Sequence, residues 1–110
     1  MIKAMLLVKR KPGLSREEFI RHYEEVHAPL GSKYFQFKKY VRNYVIAPPD
    51  AKEPDFDCIV EFWYDSMEEV NAGTDALGGY TTEIGRIFLE DEEKFMDRDS
   101  KISFLVEERT

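Results

Sequence analysis

The chain has little cysteine, little histidine and no excess of basic charge. One cysteine among 110 residues, Cys58, excludes an intrachain disulfide. It sits in an apolar, strand-like run and reads as a small buried hydrophobe rather than a nucleophile. One Cys and two His are also too few to build a soft-metal site, so no bound metal is expected. Acidic residues outnumber basic ones, 22 to 16, for a net charge of −6. That balance argues against a nucleic-acid partner, which attracts a basic surface. Long apolar runs are missing too. Lys3 interrupts the first one and Lys9 closes it, and none approaches the roughly 20 residues of a membrane span. The expectation is a cytoplasmic protein with no membrane partner. No phosphate-cradling glycine loop, paired His ligands or Ser-His-Asp spacing occurs, and Gly78-Gly79 reads as a helix break.

Aromatic side chains are plentiful. Eight Phe, six Tyr and one Trp make up 14% of the chain, within a hydrophobic fraction of 43%. This supports one domain over residues 1–110 with one core, and it suits a lined pocket for a small aromatic or hydrophobic ligand.

Residues 2–9 read as a strand and Pro12-Gly13 as a turn. Ser15 and Glu18 have the spacing of a capping box and open a helix from Arg16 to His27. Pro29 disfavours helical geometry at Ala28, so the helix is expected to stop at His27, with a further turn around 32–37. Strands are expected next at 39–47 and 56–64, separated by a proline-rich loop over 48–54. Ser66 and Glu69 cap a short helix through Val70, broken by Gly73, Gly78 and Gly79. Residues 81–96 are helical in pattern and 101–107 form the last strand. The order predicts an α+β, ferredoxin-like split βαββαβ fold, a four-stranded antiparallel sheet with its helices on one face.

The strands are apolar on both parities. Ile2, Ala4, Leu6 and Val8 oppose Met5 and Leu7. Phe56, Cys58, Val60, Phe62 and Tyr64 oppose Ile59 and Trp63. Ile102, Phe104 and Val106 oppose Leu105. Helices cover one face, and a second copy of the sheet is the simplest cover for the other, which predicts a homodimer packed sheet to sheet.

Phe19, Tyr23 and His27 fall at i, i+4 and i+8 on one helix face. His27 is therefore an ionisable group aimed inward. It reads either as a general acid/base or as a structural histidine closing the open helix end. Tyr23, one turn earlier, could orient the imidazole or bind a substrate oxygen, or simply pack in the core. His22 faces with Glu18 and Glu25 and reads as solvated, as does the acidic run Glu90 to Glu93. Asp97 is either the carboxylate that orients His27 or a turn residue ahead of the last strand. Tyr40, Arg42 and Tyr44 share one strand face and could bind an anionic or phenolic ligand, or belong to the barrel wall. Phe62, Trp63 and Tyr64 supply aromatics to both sheet faces, and one set should line the pocket.

Three segments carry a family resemblance: Arg10 to Phe19 (Arg-Lys-Pro-Gly-Leu-Ser-Arg-Glu-Glu-Phe), Tyr23 to Pro29 (Tyr-Glu-Glu-Val-His-Ala-Pro) and Asp91 to Asp97 (Asp-Glu-Glu-Lys-Phe-Met-Asp). Together they resemble the EthD family of dimeric α+β barrel proteins over nearly the whole chain. The resemblance implies a dimer closing a barrel between two sheets, and a pocket in each protomer between sheet and helices. The family's founder belongs to a bacterial ether-degradation system. Fungal relatives act in aromatic polyketide pathways as decarboxylases, dehydratases or cyclases without a cofactor. The expected function is cofactor-independent histidine acid/base chemistry on a small aromatic or polyketide-like substrate: decarboxylation, dehydration, cyclisation or isomerisation. Alternatives are a non-catalytic ligand-binding accessory protein of a degradation pathway and a cofactor-free monooxygenase.

Overall fold

A computed structural model describes residues 1–50, 52 and 54–110. Strands β1 (Ile2–Val8), β2 (Lys39–Tyr44), β3 (Cys58–Tyr64) and β4 (Ile102–Glu107) form one sheet in the order β2-β3-β1-β4. Every neighbouring pair is antiparallel. The most apolar strand, β1, lies between β3 and β4, where both its edges are hydrogen-bonded. This is the ferredoxin-like arrangement that the element order predicts. The loop read over 48–54 includes positions 51 and 53, which lie outside the described residues.

The Pro12-Gly13 turn is present, with Gly13 at a φ of +94° that only glycine adopts without strain. Helix α1 (Arg16–His22) then starts on a complete capping box. The Ser15 hydroxyl accepts from the Glu18 N–H and the Glu18 carboxylate accepts from the Ser15 N–H, both at 3.1 Å. Such a cap contributes about 1 kcal/mol.

The helix does not stop at His27. It passes through a single π turn, Tyr23–His27, and continues as α2 (Ala28–Tyr34). Pro29 has no N–H, and in an unbroken α-helix its ring would strike the carbonyl of Glu25, four residues back. Here the Ala28 N–H reaches back five residues to the Tyr23 carbonyl. The wider turn takes up the proline without ending the helix.

A second correction concerns Gly73. It does not break its helix, because α3 runs from Met67 to Leu77 on the Ser66 cap. The break falls at Gly78 and Gly79, where three consecutive residues, Gly78, Gly79 and Tyr80, have φ of 53°, 62° and 68°. After this left-handed turn the Thr82 hydroxyl caps α4 (Glu83–Phe95).

Sheet and helices enclose one apolar cluster built on Val8, Phe19, Tyr23, Cys58, Val60 and Phe95. Its centre is aromatic: Phe95 lies 5.6 Å from Phe19 and 5.2 Å from Tyr23, ring centre to ring centre. Cys58 is fully buried, and burial pushes its thiol up to about 12, as its apolar setting in the sequence suggests. Even-numbered residues of β1, β2 and β3 face the helices. Met5, Leu7, Ile59, Trp63 and Phe104 therefore occupy the opposite face. Among the described residues, no helix is long and apolar enough to cross a membrane.

Candidate functional site

The π turn sets the site. Tyr23 and His27, its first and last residues, point to the same side and meet edge to face at 5.4 Å. Single π turns of this kind recur at functional sites because they displace side chains from the regular helical register. His27 is 5% exposed and sits against Phe88 and Phe95, with ring centres 5.6 and 5.0 Å away.

The imidazole is held by Asp91 of α4. His27 Nδ1 lies 2.7 Å from Asp91 Oδ2, and the other carboxylate oxygen lies 2.9 Å from His22 Nε2. One buried carboxylate thus orients two imidazoles. With Nδ1 donating to Asp91, the His27 Nε2 is an acceptor left for the cavity that His27 lines. Burial lowers the His27 pKa from its ordinary value, and the hydrogen bond to Asp91 opposes that shift without cancelling it. The resting ring is neutral, the form that can accept a proton.

This geometry corrects three readings of the sequence. His22 is not solvated: its ring stacks on Phe95 at 4.6 Å and bonds Asp91. The run 90–93 is not a solvated helix end, because α4 continues to Phe95 and buries Phe88, Asp91, Glu92 and Phe95 at i, i+3, i+4 and i+7. The carboxylate that orients His27 is Asp91 rather than Asp97. Asp97 lies beyond α4, next to the bridge between Arg10 and Met96, and its N–H donates to the Lys9 carbonyl.

A cavity of about 420 Å³ opens between the sheet and the helices, with Tyr23 and His27 in its wall. Tyr40, Phe62 and Tyr64 line it from the sheet. Tyr40 stacks on Phe62 at 4.7 Å, and its hydroxyl points to that of Tyr23 at 3.4 Å. Burial raises both phenols, Tyr40 to about 12 and Tyr23 well above its ordinary value. They stay protonated at neutral pH and act as hydrogen-bond donors rather than bases.

Arg42 and Tyr44 share the strand face of Tyr40 but are engaged elsewhere. The Arg42 guanidinium grips Glu24 with two bonds of 2.7 and 2.9 Å, and the Tyr44 hydroxyl donates to the same carboxylate at 2.5 Å. Neither lines the cavity. Trp63 lies on the far sheet face, where Lys3 and Lys39 sit over its ring at 4.1 and 4.8 Å and its N–H donates to Glu61. The helix-side aromatic set is therefore Phe62 and Tyr64.

Three further polar residues in the cavity wall, Tyr80, Glu92 and Lys101, escape a reading of the sequence. The signal for Glu92 is its spacing of four from Phe88 and Met96. Lys101 is readable by strand parity with Ser103 and Leu105, which line the same cavity. Among the described residues no three His, Cys, Asp or Glu side chains are grouped so as to hold a metal ion.

Fold and cavity together define a ferredoxin-like α+β protein of a kind suited to small-molecule binding or enzymatic work. The EthD domain model matches residues 11–99, so the chain belongs to the EthD family. Solved structures agree on the fold. An EthD-family protein of Bacillus halodurans superposes with a TM-score of 0.71 at 22% identity, covering 99% of this chain and 100% of its own. An Arabidopsis thaliana protein gives a TM-score of 0.70 at 15% identity, covering 100% and 97%. A Bacteroides fragilis protein, described as dimeric and of ferredoxin-like fold, gives 0.62 at 12% identity, covering 97% and 95%. No curated protein sequence matches the chain significantly.

Proposed function

We propose that this protein is a cofactor-independent enzyme that moves a proton on a small aromatic or polyketide-like molecule, with His27 as the general base. The observation that carries the reading is the buried His27–Asp91 pair at 2.7 Å in the wall of an aromatic-lined cavity. His27 Nε2 takes a proton from an acidic carbon beside a carbonyl, or from a phenol. Asp91 stabilises the imidazolium that results. The Tyr23 phenol, relayed to Tyr40, donates to the oxygen on which charge develops. The imidazolium then returns the proton at a second position or to a leaving hydroxyl, which completes an isomerisation, cyclisation or dehydration. Decarboxylation results when His27 Nε2 first takes the proton of the substrate's carboxylic acid, carbon dioxide leaves, and the imidazolium returns that proton to the carbanion.

The test is turnover of a panel of phenolic and β-keto compounds, monitored by mass spectrometry, for the native protein and His27→Ala. Product formation by the native protein and its loss in a folded variant supports the reading. Saturable binding with no product from any compound would replace it with a ligand-binding accessory role.

The working unit we propose is a homodimer. Among the described residues no helix lies over the sheet face carrying Met5, Leu7, Ile59, Trp63 and Phe104, and Phe104 is 42% exposed. The description of the Bacteroides fragilis neighbour as dimeric supports the same assembly. Light scattering should give twice the chain mass for the native protein and the monomer mass for Phe104→Asp. We assign the protein to the cytoplasm on the ground of its one buried, unpaired thiol; subcellular fractionation tests that.

A further inference from the structure

Glu92 is the neighbour of Asp91 on α4 but serves a different group. Its carboxylate holds the Lys101 ammonium at 2.6 Å, accepts from the Tyr80 hydroxyl at 3.1 Å, and lies 3.5 Å from Arg98 Nε. Lys101 also donates to the Tyr80 oxygen at 2.5 Å. Glu92 and Lys101 are nearly buried, with side chains 6% and 15% exposed. Tyr80, Glu92 and Lys101 all line the cavity that contains His27.

The charges in this cluster do not balance. Among the described residues, Glu92 is the only carboxylate paired with either Lys101 or Arg98. Two cations share one anion. Arg98 Nε is buried and has no hydrogen-bond acceptor, the only side-chain atom so placed among the described residues. Lys101 has three N–H donors, and Tyr80 and Glu92 use two. Desolvated positive charge without a full counter-charge is costly, and an anion entering beside it offsets that cost.

The backbone also works to keep Tyr80 here. Tyr80 holds a φ of 68°, a left-handed conformation that bulky side chains rarely adopt. Its ring is clasped by Arg98 and Lys101, each 4.8 Å from the ring centre. A strained residue held by charged neighbours in a cavity wall is a common mark of a ligand site.

We propose that Lys101 and Tyr80 form a carboxylate-binding subsite, so that the ligands of this cavity are small aromatic acids. The third Lys101 N–H donates to the carboxylate, the Tyr80 oxygen holds the ammonium in place, and the Phe62, Phe88 and Met96 walls take the ring. Glu92 sets the position of Lys101 and Tyr80 and moderates the positive charge of Lys101. This rests on the cavity being the ligand site of the proposed function, and it adds the charge that the ligand must carry.

The test is binding, not turnover, so it stands apart from the catalytic reading. Benzoate, 2-hydroxybenzoate and the neutral benzamide are titrated by NMR chemical shift against the native protein. The carboxylates should bind at least about tenfold more tightly than benzamide, as expected for a charged hydrogen bond. Lys101→Met should bring the three within about twofold of one another. Glu92→Gln should act in the opposite sense and tighten benzoate severalfold, which keeps the proposal open to test if Lys101→Met folds poorly. His27→Ala should keep the preference for carboxylates. Equal affinity for benzoate and benzamide, a preference that survives Lys101→Met, or no gain in Glu92→Gln would overturn the subsite. A preserved preference with no turnover of any compound would retain the subsite and remove the catalytic role.

Discussion

Asp91 Oδ2 lies 2.7 Å from His27 Nδ1, and this contact fixes which nitrogen of the imidazole is left free to accept a proton. A carboxylate can only accept, so it selects the Nδ1–H tautomer and leaves Nε2 unprotonated. Asp91→Asn keeps the shape and loses that selection, because the amide can present an N–H to Nδ1 and turn the acceptor nitrogen away from the substrate. A general base contributes roughly 10²–10⁴ in rate, and kcat should fall by that order with KM little changed. Near-native circular dichroism with a collapsed kcat is the expected pair of results. Full activity in Asp91→Asn would remove Asp91 from the mechanism.

The depressed pKa of His27 gives two linked predictions in pH. The base form persists below the ordinary histidine value of about 6.5, so the acid limb of kcat/KM should have its midpoint below that value. Stability is tied to the same shift. The folded protein binds fewer protons than the unfolded chain between the depressed pKa and about 6.5, so its stability rises with pH across that window. Above it the contribution is complete; as pH falls through the window it is lost. Urea denaturation of native protein and His27→Gln between pH 5 and 8 checks this. The native protein should lose stability relative to the variant as pH drops, with the difference levelling off near pH 7.

Arg42 and Tyr44 are assigned to the frame rather than to the ligand. Both bind Glu24 on the π turn and so tie β2 to the helix that carries His27. Glu24 is 39% exposed at its side chain, so solvent screening limits the value of the pair. Arg42→Gln should lower stability by about 0.5–1.5 kcal/mol and leave ligand affinity within about twofold of native. The unfolding midpoint and a benzoate titration on one sample measure both. A large loss of affinity with unchanged stability would return Arg42 to the binding site.

How far this site can be read from sequence depends on the kind of pattern involved. The capping box at Ser15 and Glu18 is local chemistry, and it is legible. So are the four strands, because alternation and runs of β-branched and aromatic residues leave a direct trace, and the family motifs lie within the first helix and around it. The i, i+4, i+8 face of Phe19, Tyr23 and His27 is legible as well, since a π turn keeps residues four apart close in direction. His22 is misassigned to solvent because the wheel counts only one buried stripe. Packing of α4 against the π turn widens that stripe to include i+3. Asp91 and Glu92 are hidden for a related reason: four acidic residues in a row look solvated, yet two of them carry the i+3, i+4 phase of Phe88 and Phe95. Which cations meet Glu92 depends on the crossing from α4 to β4, a tertiary fact with no local signature.

Pro29 offers the last prediction, because it links the helix backbone to the site. Its missing N–H leaves the Glu25 carbonyl without its regular partner, and the π turn immediately before it carries both Tyr23 and His27. Pro29→Ala restores a donor for Glu25 and removes the clash that disfavours α geometry. The turn should then relax toward the α register, and loss of one bulged residue rotates the downstream helix by about 100° relative to α1. His27, at the end of the turn, is carried away from Asp91. Stability should hold or rise, since alanine is the better helix former, while turnover falls at least about tenfold from the lost base. The His27 and His22 ring resonances report the geometry directly, and both should shift in the variant. A variant that gains stability, keeps its histidine spectrum and keeps its activity would show that the burial of Tyr23 and His27, rather than the proline, holds the π turn in place.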